Sequence, residues 1–94
     1  MRTYRVLLNG TGFRRLIDGK HLAVGFWVSR FVGAATVDGA IAEAMELVRL
    51  KLQVEHAYTD LSNVVVESVE PVSGEVPTVQ PGFAWFREVR SESS

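Results

Sequence analysis

Cysteine is absent from the 94-residue chain, and histidine occurs only at His21 and His56. The absence of cysteine excludes disulfides, thiolate nucleophiles and cysteine-ligated zinc. Neither histidine has a carboxylate cluster or a serine motif beside it, so we expect no metal site, no cofactor and no catalytic triad. Asp60 could orient His56 as a general base, but a surface or helix-capping histidine fits the pattern better. The sequence therefore predicts a protein without enzymatic activity.

Long apolar runs are also absent. Six charged side chains interrupt the most apolar segment, 22–52, whereas a membrane helix needs about 18 uninterrupted apolar residues. Near the start of the chain only three apolar side chains follow one another, from Val6 to Leu8, which is too few for a signal peptide. We therefore expect a cytoplasmic protein, and the cysteine-free composition fits a bacterial cytosol.

The net charge is only −1, but it is unevenly distributed. Residues 1–35 carry six basic side chains and one acidic one, whereas residues 36–94 carry four basic and ten acidic side chains. This asymmetry is typical of a basic face for an anionic partner, or of two faces that attract each other across a subunit interface. Alternatively, the two halves interleave in space and their fields cancel.

The size and composition predict one globular domain. Apolar residues make up 47% of the chain and charged residues 22%, which is close to average globular usage. A chain of this length buries one hydrophobic core. We expect a single domain over 1–90 and a disordered tail over 91–94, where serine and charged residues predominate.

The first part of the chain predicts a β-hairpin. Alternating apolar residues predict a strand over 4–9, and Gly10-Thr11-Gly12 follows it. Such glycines can bind phosphate where a helix begins directly after them, but here the chain continues into Asp18-Gly19, which is typical of a two-residue hairpin turn. We therefore predict a bulge or bend at the glycines, and a long second strand over 22–35.

An amphipathic helix follows the long strand. Thr36 suits its N-cap position, with Asp38 as the alternative. Apolar residues recur at spacings of three and four as far as Leu52, with acidic and basic residues between them. The next segment, 53–63, fits either a last helical turn or a loop.

Two further strands complete the predicted fold. β-Branched residues predict a third strand over 63–70, and aromatic residues predict a fourth over 82–89. The loop between them, 71–82, contains all three prolines. The order ββαββ predicts an α+β fold, in which a four-stranded, mainly antiparallel sheet has one helix packed on one face.

Aromatic residues fall on both sides of this predicted sheet. Phe26 and Trp27 point in opposite directions, and so do Trp85 and Phe86. One helix covers one side, so large apolar side chains remain on the other, and a second copy of the chain could cover them through a two-fold axis. The alternative is that segment 53–62 or 71–82 folds over them. The residues expected in the homodimer interface are Trp27, Phe31, Phe83 and Trp85.

Basic residues near the hairpin turn indicate a second possible binding site. Arg14, Arg15 and Lys20 flank the turn, with Phe13 and Trp27 nearby, and such residues can contact phosphate and stack on bases. The pI of 6.1 is well below that of a typical nucleic-acid-binding domain. Nucleic acid is therefore a less favoured partner than a second protein chain.

Arg30 interrupts the apolar side of the long strand. A buried guanidinium needs a partner, so we expect either an ion pair with an acidic residue of another strand or an anion-binding role. The acidic candidates are Glu67, Glu70 and Glu88. The predicted ligand-binding or nucleic-acid-binding set is Arg14, Arg15, Lys20 and Arg30.

These patterns favour a small, non-enzymatic interaction module that self-associates through the helix-free sheet face. The long loop and the hairpin tip would remain for an unidentified protein partner. The alternative is binding of a nucleic acid or a phosphate ligand through the basic hairpin tip. A third possibility is an enzyme whose site is built between subunits.

Overall fold

A computed structural model of the chain describes residues 1–56, 58, 60–74 and 79–88. These residues form β1 (Arg2–Ile17), β2 (Lys20–Ala34), α1 (Val37–His56), β3 (Val64–Val72) and β4 (Ala84–Arg87). The strands make one antiparallel sheet in the spatial order β3-β1-β2-β4, so the predicted α+β fold is confirmed. The predicted tail, 91–94, and Val89 of the predicted fourth strand lie outside the described residues.

β1 and β2 form one long hairpin. Its turn is Asp18-Gly19, where both residues have positive φ (52° and 79°), as the predicted type I′ turn requires. The register of β1 against β2 shifts between Gly10 and Phe13, and Gly12 has a φ of 75°, so the predicted bulge lies at the glycines. Because pairing resumes after this bulge, β1 is much longer than the predicted 4–9.

The hairpin extends past its neighbouring strands as a two-stranded arm, which we define as residues 13–22. β3 pairs with β1 only as far as Gly10, and β4 pairs with β2 only from Val24 to Trp27. Neither strand of the arm has an outer neighbour among the described residues. The molecule is accordingly elongated, with extents of 47 × 29 × 22 Å.

α1 begins at the predicted cap, where the Gly39 N–H donates to Thr36 Oγ1 (3.0 Å). It ends at His56, so the first part of segment 53–63 is helical. The buried stripe of the helix consists of Ala40, Ala44, Val48 and Leu52. This stripe packs on the sheet side that carries the buried residues Tyr4, Val6, Leu8, Val24, Phe26, Val28 and Val32. No helix within the described residues is long and apolar enough to cross a membrane.

β3 continues through Pro71, where the sequence predicts its end. β3 is an outer strand of the sheet, and a proline in an outer strand removes only a hydrogen bond that no neighbour would receive. A second bulge lies at Glu67, because Val66 is opposite Leu8 while Ser68 is opposite Leu7. This bulge was not predicted from the sequence.

Side chains close the outer edge of β2 where β4 no longer pairs with it. The carboxamide of Gln80 accepts a hydrogen bond from the Phe31 N–H (2.9 Å) and donates one to the Phe31 carbonyl (2.8 Å). This pair of bonds copies what a neighbouring antiparallel strand would provide. Arg30 Nη1 donates to the Ser29 carbonyl (2.9 Å) on the same strand.

Candidate interaction surfaces

The sheet side opposite α1 forms the open face. Residues that lie opposite each other in paired strands share one side of the sheet, and the row Val65, Asn9, Trp27 and Ala84 crosses all four strands on this side. Trp27 is 41% exposed, Val65 is 53% exposed and Phe86 is 37% exposed. The large apolar residues of the open face are Leu7, Trp27, Phe31, Val65 and Phe86.

Neither segment that the sequence offers as a cover lies on the open face in the part of the chain that the structure describes. Tyr58 and Leu61 pack against the helix-side core. Gln80 bonds to the edge of β2 at Phe31. Residues 75–78 of the long loop lie outside the described residues. The described chain therefore leaves this apolar surface exposed to solvent.

Phe86 takes its position on the open face because residue 25 has no side chain. A Cβ atom at Gly25 would lie 2.5 Å from Phe86 Cζ and 2.6 Å from the Gly10 carbonyl oxygen. Carbon atoms in contact normally lie 3.5–4.0 Å apart. The ring of Phe86 therefore occupies the space that a side chain at position 25 would fill.

The charged groups of the open face are largely paired. Arg5 Nη1 lies 2.9 Å from Glu70 Oε1 in the row that also contains Phe31. Glu88 Oε1 accepts a hydrogen bond from the Gly12 N–H (3.0 Å). The surface around Trp27 therefore has no concentrated charge of one sign that would repel a second copy.

Phe83 and Trp85, two of the four predicted interface residues, lie on the other side of the sheet. Trp85 is opposite Phe26, whose side chain is fully buried, and its ring centroid is 5.2 Å from that of Phe26 and 5.8 Å from that of Phe83. Both residues pack against the helix-side core next to α1, and they cover a part of the sheet that the helix leaves uncovered. They do not form one surface with Trp27 and Phe31.

Arg30 is buried on the helix side, with only 3% of its surface exposed. Its Nη1 atom donates to the carbonyls of Ser29 (2.9 Å) and Pro81 (2.6 Å), and its Cζ lies 5.3 Å from the ring centroid of Phe83. Burial lowers the pKa of this guanidinium, and the charge of Glu55 partly opposes that shift.

The three acidic residues proposed as partners of Arg30 form no ion pair with it. Glu70 is paired with Arg5, and Glu88 accepts from the Gly12 amide. Glu67 lies at the exposed bulge of the outer strand. Arg30 therefore meets backbone carbonyls and an aromatic ring instead of a strand carboxylate.

The basic residues of the arm are not gathered on one side. Arg14 is exposed on the open-face side of the ribbon, whereas Lys20 is exposed on the opposite side. The guanidinium of Arg15 lies 4.8 Å from the Trp85 ring centroid, a cation–π contact at the base of the arm. Arg30 lies well down β2 from the turn. The four predicted residues thus form no single basic patch. Arg14 and Lys20 both belong to the arm, but they lie on its opposite sides.

His56 lies at the end of α1 against the same aromatic cluster. Its ring centroid is 5.0 Å from that of Trp85, and its side chain is 17% exposed. Burial lowers the pKa of His56, and the nearby charge of Arg15 lowers it further, whereas Glu55 acts in the opposite direction. Asp60 instead accepts a hydrogen bond from the Ser62 N–H (2.9 Å), and the carboxylate near His56 Nε2 is that of Glu55, whose Oε1 lies 3.9 Å away.

No group of three or more histidine, aspartate and glutamate side chains is placed to hold a metal ion within the described ranges. Comparison of the chain with protein-family models, with curated proteins and with solved structures finds no match. A functional assignment for this chain therefore depends on its own surfaces.

Proposed function

We propose that this protein is a non-enzymatic interaction module that forms a homodimer by stacking the open faces of two copies. The observation that carries the proposal is the exposure of Trp27, Val65 and Phe86 on one side of a sheet whose other side holds the core. Residues alternate between the two sides of a sheet, and those on a side that faces water are normally polar. Contiguous apolar patches on small proteins mark interaction surfaces.

The dimensions of the open face support a second copy as its occupant. Three strands spaced about 4.8 Å apart make a surface about 14 Å wide over the roughly 26 Å in which β1 pairs with β3, and β4 adds about 5 Å of width over a further length of about 13 Å. The flat area is therefore about 440 Å², to which projecting side chains add accessible surface, against about 800 Å² of accessible surface per partner in a standard interface. A two-fold axis would place Trp27 of one copy near the centre of the same surface on the other.

Electrostatics also favours self-association over an acidic or basic partner. The Arg5–Glu70 pair is neutral as a unit, so this pair brings no net charge into the contact of two open faces. The acidic side chains of α1 lie on the opposite side of the molecule and would remain in solvent. The two helices would then form the outer layers of a four-layer assembly.

The test is sedimentation equilibrium over a concentration series, with Trp27→Lys and Leu50→Lys compared. Leu50 is a matched control, because it is 44% exposed on α1 and the same charge is introduced far from the open face. The wild-type protein and L50K should reach twice the monomer mass of 10.4 kDa. A central tryptophan contributes about 2 kcal/mol or more, and it occurs twice in a two-fold interface, so W27K should weaken the dimer by about 1,000-fold.

Two results would contradict this function. One is a wild-type protein that remains monomeric up to high micromolar concentration. The other is a dimer that W27K and L50K weaken equally, because the association would then use a surface other than the open face.

Binding of a nucleic acid or another polyanion by the arm is the second candidate function. The observation that favours it is the projection of the hairpin beyond the sheet, which leaves Arg14 and Lys20 accessible from several directions. Against it, Asp18 lies in the turn itself and Arg15 is engaged with Trp85. A polyanion bound to the arm would be released by salt, whereas the apolar contact of two open faces would not.

A further inference from the structure

A small cavity lies beside Arg30, between the helix and the segment that follows the long loop. Its volume is about 200 Å³, and its lining residues are Arg30, Leu47, Lys51, Gln80, Pro81 and Gly82. Arg30 comes from the central sheet and is almost fully buried, while Lys51 lies on α1 and is half exposed. The cavity therefore has a cation at its inner end, a second cation at its opening and apolar groups between them.

The hydrogen bonds of Arg30 leave one side of its guanidinium without a protein partner in the described chain. Both carbonyl acceptors, Ser29 and Pro81, are bound by Nη1. No other hydrogen bond from Arg30 occurs among the described residues, and no side-chain nitrogen there is both buried and unpaired. Because Arg30 lines the cavity, Nε and Nη2 are the guanidinium donors that remain for a ligand there. These two atoms form the side of a guanidinium that binds both oxygens of a carboxylate.

The net charge of the groups around the cavity determines which ligand charge the cavity favours. Lys51 Nζ is paired with Glu55 Oε2 at 2.8 Å, and Glu55 also acts on Arg30. Two cations and one carboxylate leave a net charge of +1. This charge is balanced by a monoanion, whereas a phosphate dianion would exceed it. Leu47 and Pro81 supply apolar contacts that an inorganic ion could not use.

From this geometry we infer that the cavity is a binding site for a small aliphatic monocarboxylate. The Nε and Nη2 side of Arg30 holds the carboxylate, and the hydrocarbon part lies against Leu47 and Pro81. Lys51 adds long-range attraction at the opening. This site is separate from the open face, and it does not depend on the dimer.

The experiment is an NMR titration of the full chain with propionate at constant ionic strength, following the Arg30 Nε–H and the Lys51 side chain. Propionamide, the neutral analogue, and inorganic phosphate are titrated in parallel. We expect saturable shifts at Arg30 with propionate, none with propionamide and weaker binding of phosphate. Absence of a saturable shift with propionate, equal shifts with propionamide, or tighter binding of phosphate would overturn the inference.

Two surface variants should change the affinity in opposite directions. Glu55→Gln raises the net charge of the cavity and should tighten propionate binding, whereas Lys51→Gln lowers that charge and should weaken it. Each effect should be up to about fivefold, as for partly exposed charge pairs. Arg87→Gln, which removes the same charge from an exposed position of β4 outside the cavity lining, should leave the affinity unchanged. Equal affinities in E55Q and K51Q would refute the proposed site, whether or not an Arg30→Lys variant folds.

Discussion

The close packing of Phe86 over Gly25 can be tested by adding one methyl group at position 25. In Gly25→Ala, the new Cβ would lie 2.5 Å from Phe86 Cζ and 2.6 Å from the Gly10 carbonyl oxygen. The ring is partly exposed and can move outward, but the carbonyl belongs to the backbone of β1 beside the bulge and can move only with the strand. Overpacking of this kind costs about 1–3 kcal/mol. Replacing glycine by alanine in a strand returns about 0.4–1 kcal/mol, so we expect a net loss of about 1–2 kcal/mol.

Gly33→Ala provides the matched control for this variant. Gly33 lies on the same strand and, by strand alternation, on the same side of the sheet as Gly25. A Cβ there would have Met1 Sδ at 3.6 Å and the Arg2 carbonyl oxygen at 3.9 Å as its nearest neighbours, which are ordinary contact distances. G33A should therefore be as stable as the wild-type protein, or more stable by up to about 1 kcal/mol.

Urea denaturation measures the difference, with all variants at one protein concentration because self-association would change the apparent stability. A loss of 1–2 kcal/mol corresponds to a decrease in Tm of roughly 4–16 °C for a chain of this size. Introducing Phe86→Ala into G25A should recover part of the loss but not all of it, since the contact with the Gly10 carbonyl remains. The reasoning is refuted if G25A and G33A have the same free energy of unfolding.

The remaining predictions concern His56 and the arm. Because folding lowers the pKa of His56, the unfolded chain binds its proton more readily, so this group should reduce stability as the pH falls from about 6.5 toward the lowered folded value. Thermal unfolding between pH 5 and 7.5 should show this loss, and His56→Gln should diminish it; an identical pH dependence in H56Q would contradict the assignment. For the arm, fluorescence polarisation with labelled single-stranded DNA at low salt should show weak binding that R14Q/K20Q removes and W27K retains. Binding that is insensitive to salt or to these two substitutions would exclude the arm as the site.

Local patterns in the sequence predicted the elements whose causes are local. The Asp18-Gly19 pair specifies its turn because both residues tolerate positive φ. Thr36 caps α1 through its own hydroxyl, which needs only residues within the first helical turn. The strands and α1 were predicted because segments with the two-residue period of a strand flank a segment with the period of a helix. Each of these features depends on residues close together in the chain.

The sequence did not reveal which side of the sheet the aromatic residues of the last strand occupy. Alternation shows that Trp85 and Phe86 point in opposite directions, but the side that meets the core depends on the register against β2. Small side chains, Ala40 and Ala44, form the first half of the helix stripe. Phe83 and Trp85 supply part of the remaining cover. The need for aromatic side chains on the helix side of the sheet becomes visible only when the packing of the helix on the sheet is known.

The sequence also did not predict the hydrogen-bond partners of Arg30. Acidic residues on neighbouring strands were the natural candidates, but the guanidinium bonds to the carbonyls of Ser29 and Pro81. Pro81 is 51 residues away along the chain and lies outside the regular strands, so no periodicity places it beside β2. The cavity at Arg30 arises from this packing of an irregular segment against the helix.

The two outer edges of the sheet are protected against pairing with another strand. This protection favours a dimer in which two open faces stack over one in which the sheet continues from one copy into the other. On β2, Gln80 satisfies both backbone groups of Phe31 and Arg30 satisfies the Ser29 carbonyl, so a strand from another copy would have to displace these side chains. On β3, the bulge at Glu67 and the proline at position 71 interrupt a regular edge, and both features discourage pairing with another strand. The open face has no comparable protection around Trp27. A second copy would therefore lose existing hydrogen bonds at the β2 edge and meet an irregular edge at β3, whereas it would bury exposed apolar surface on the open face.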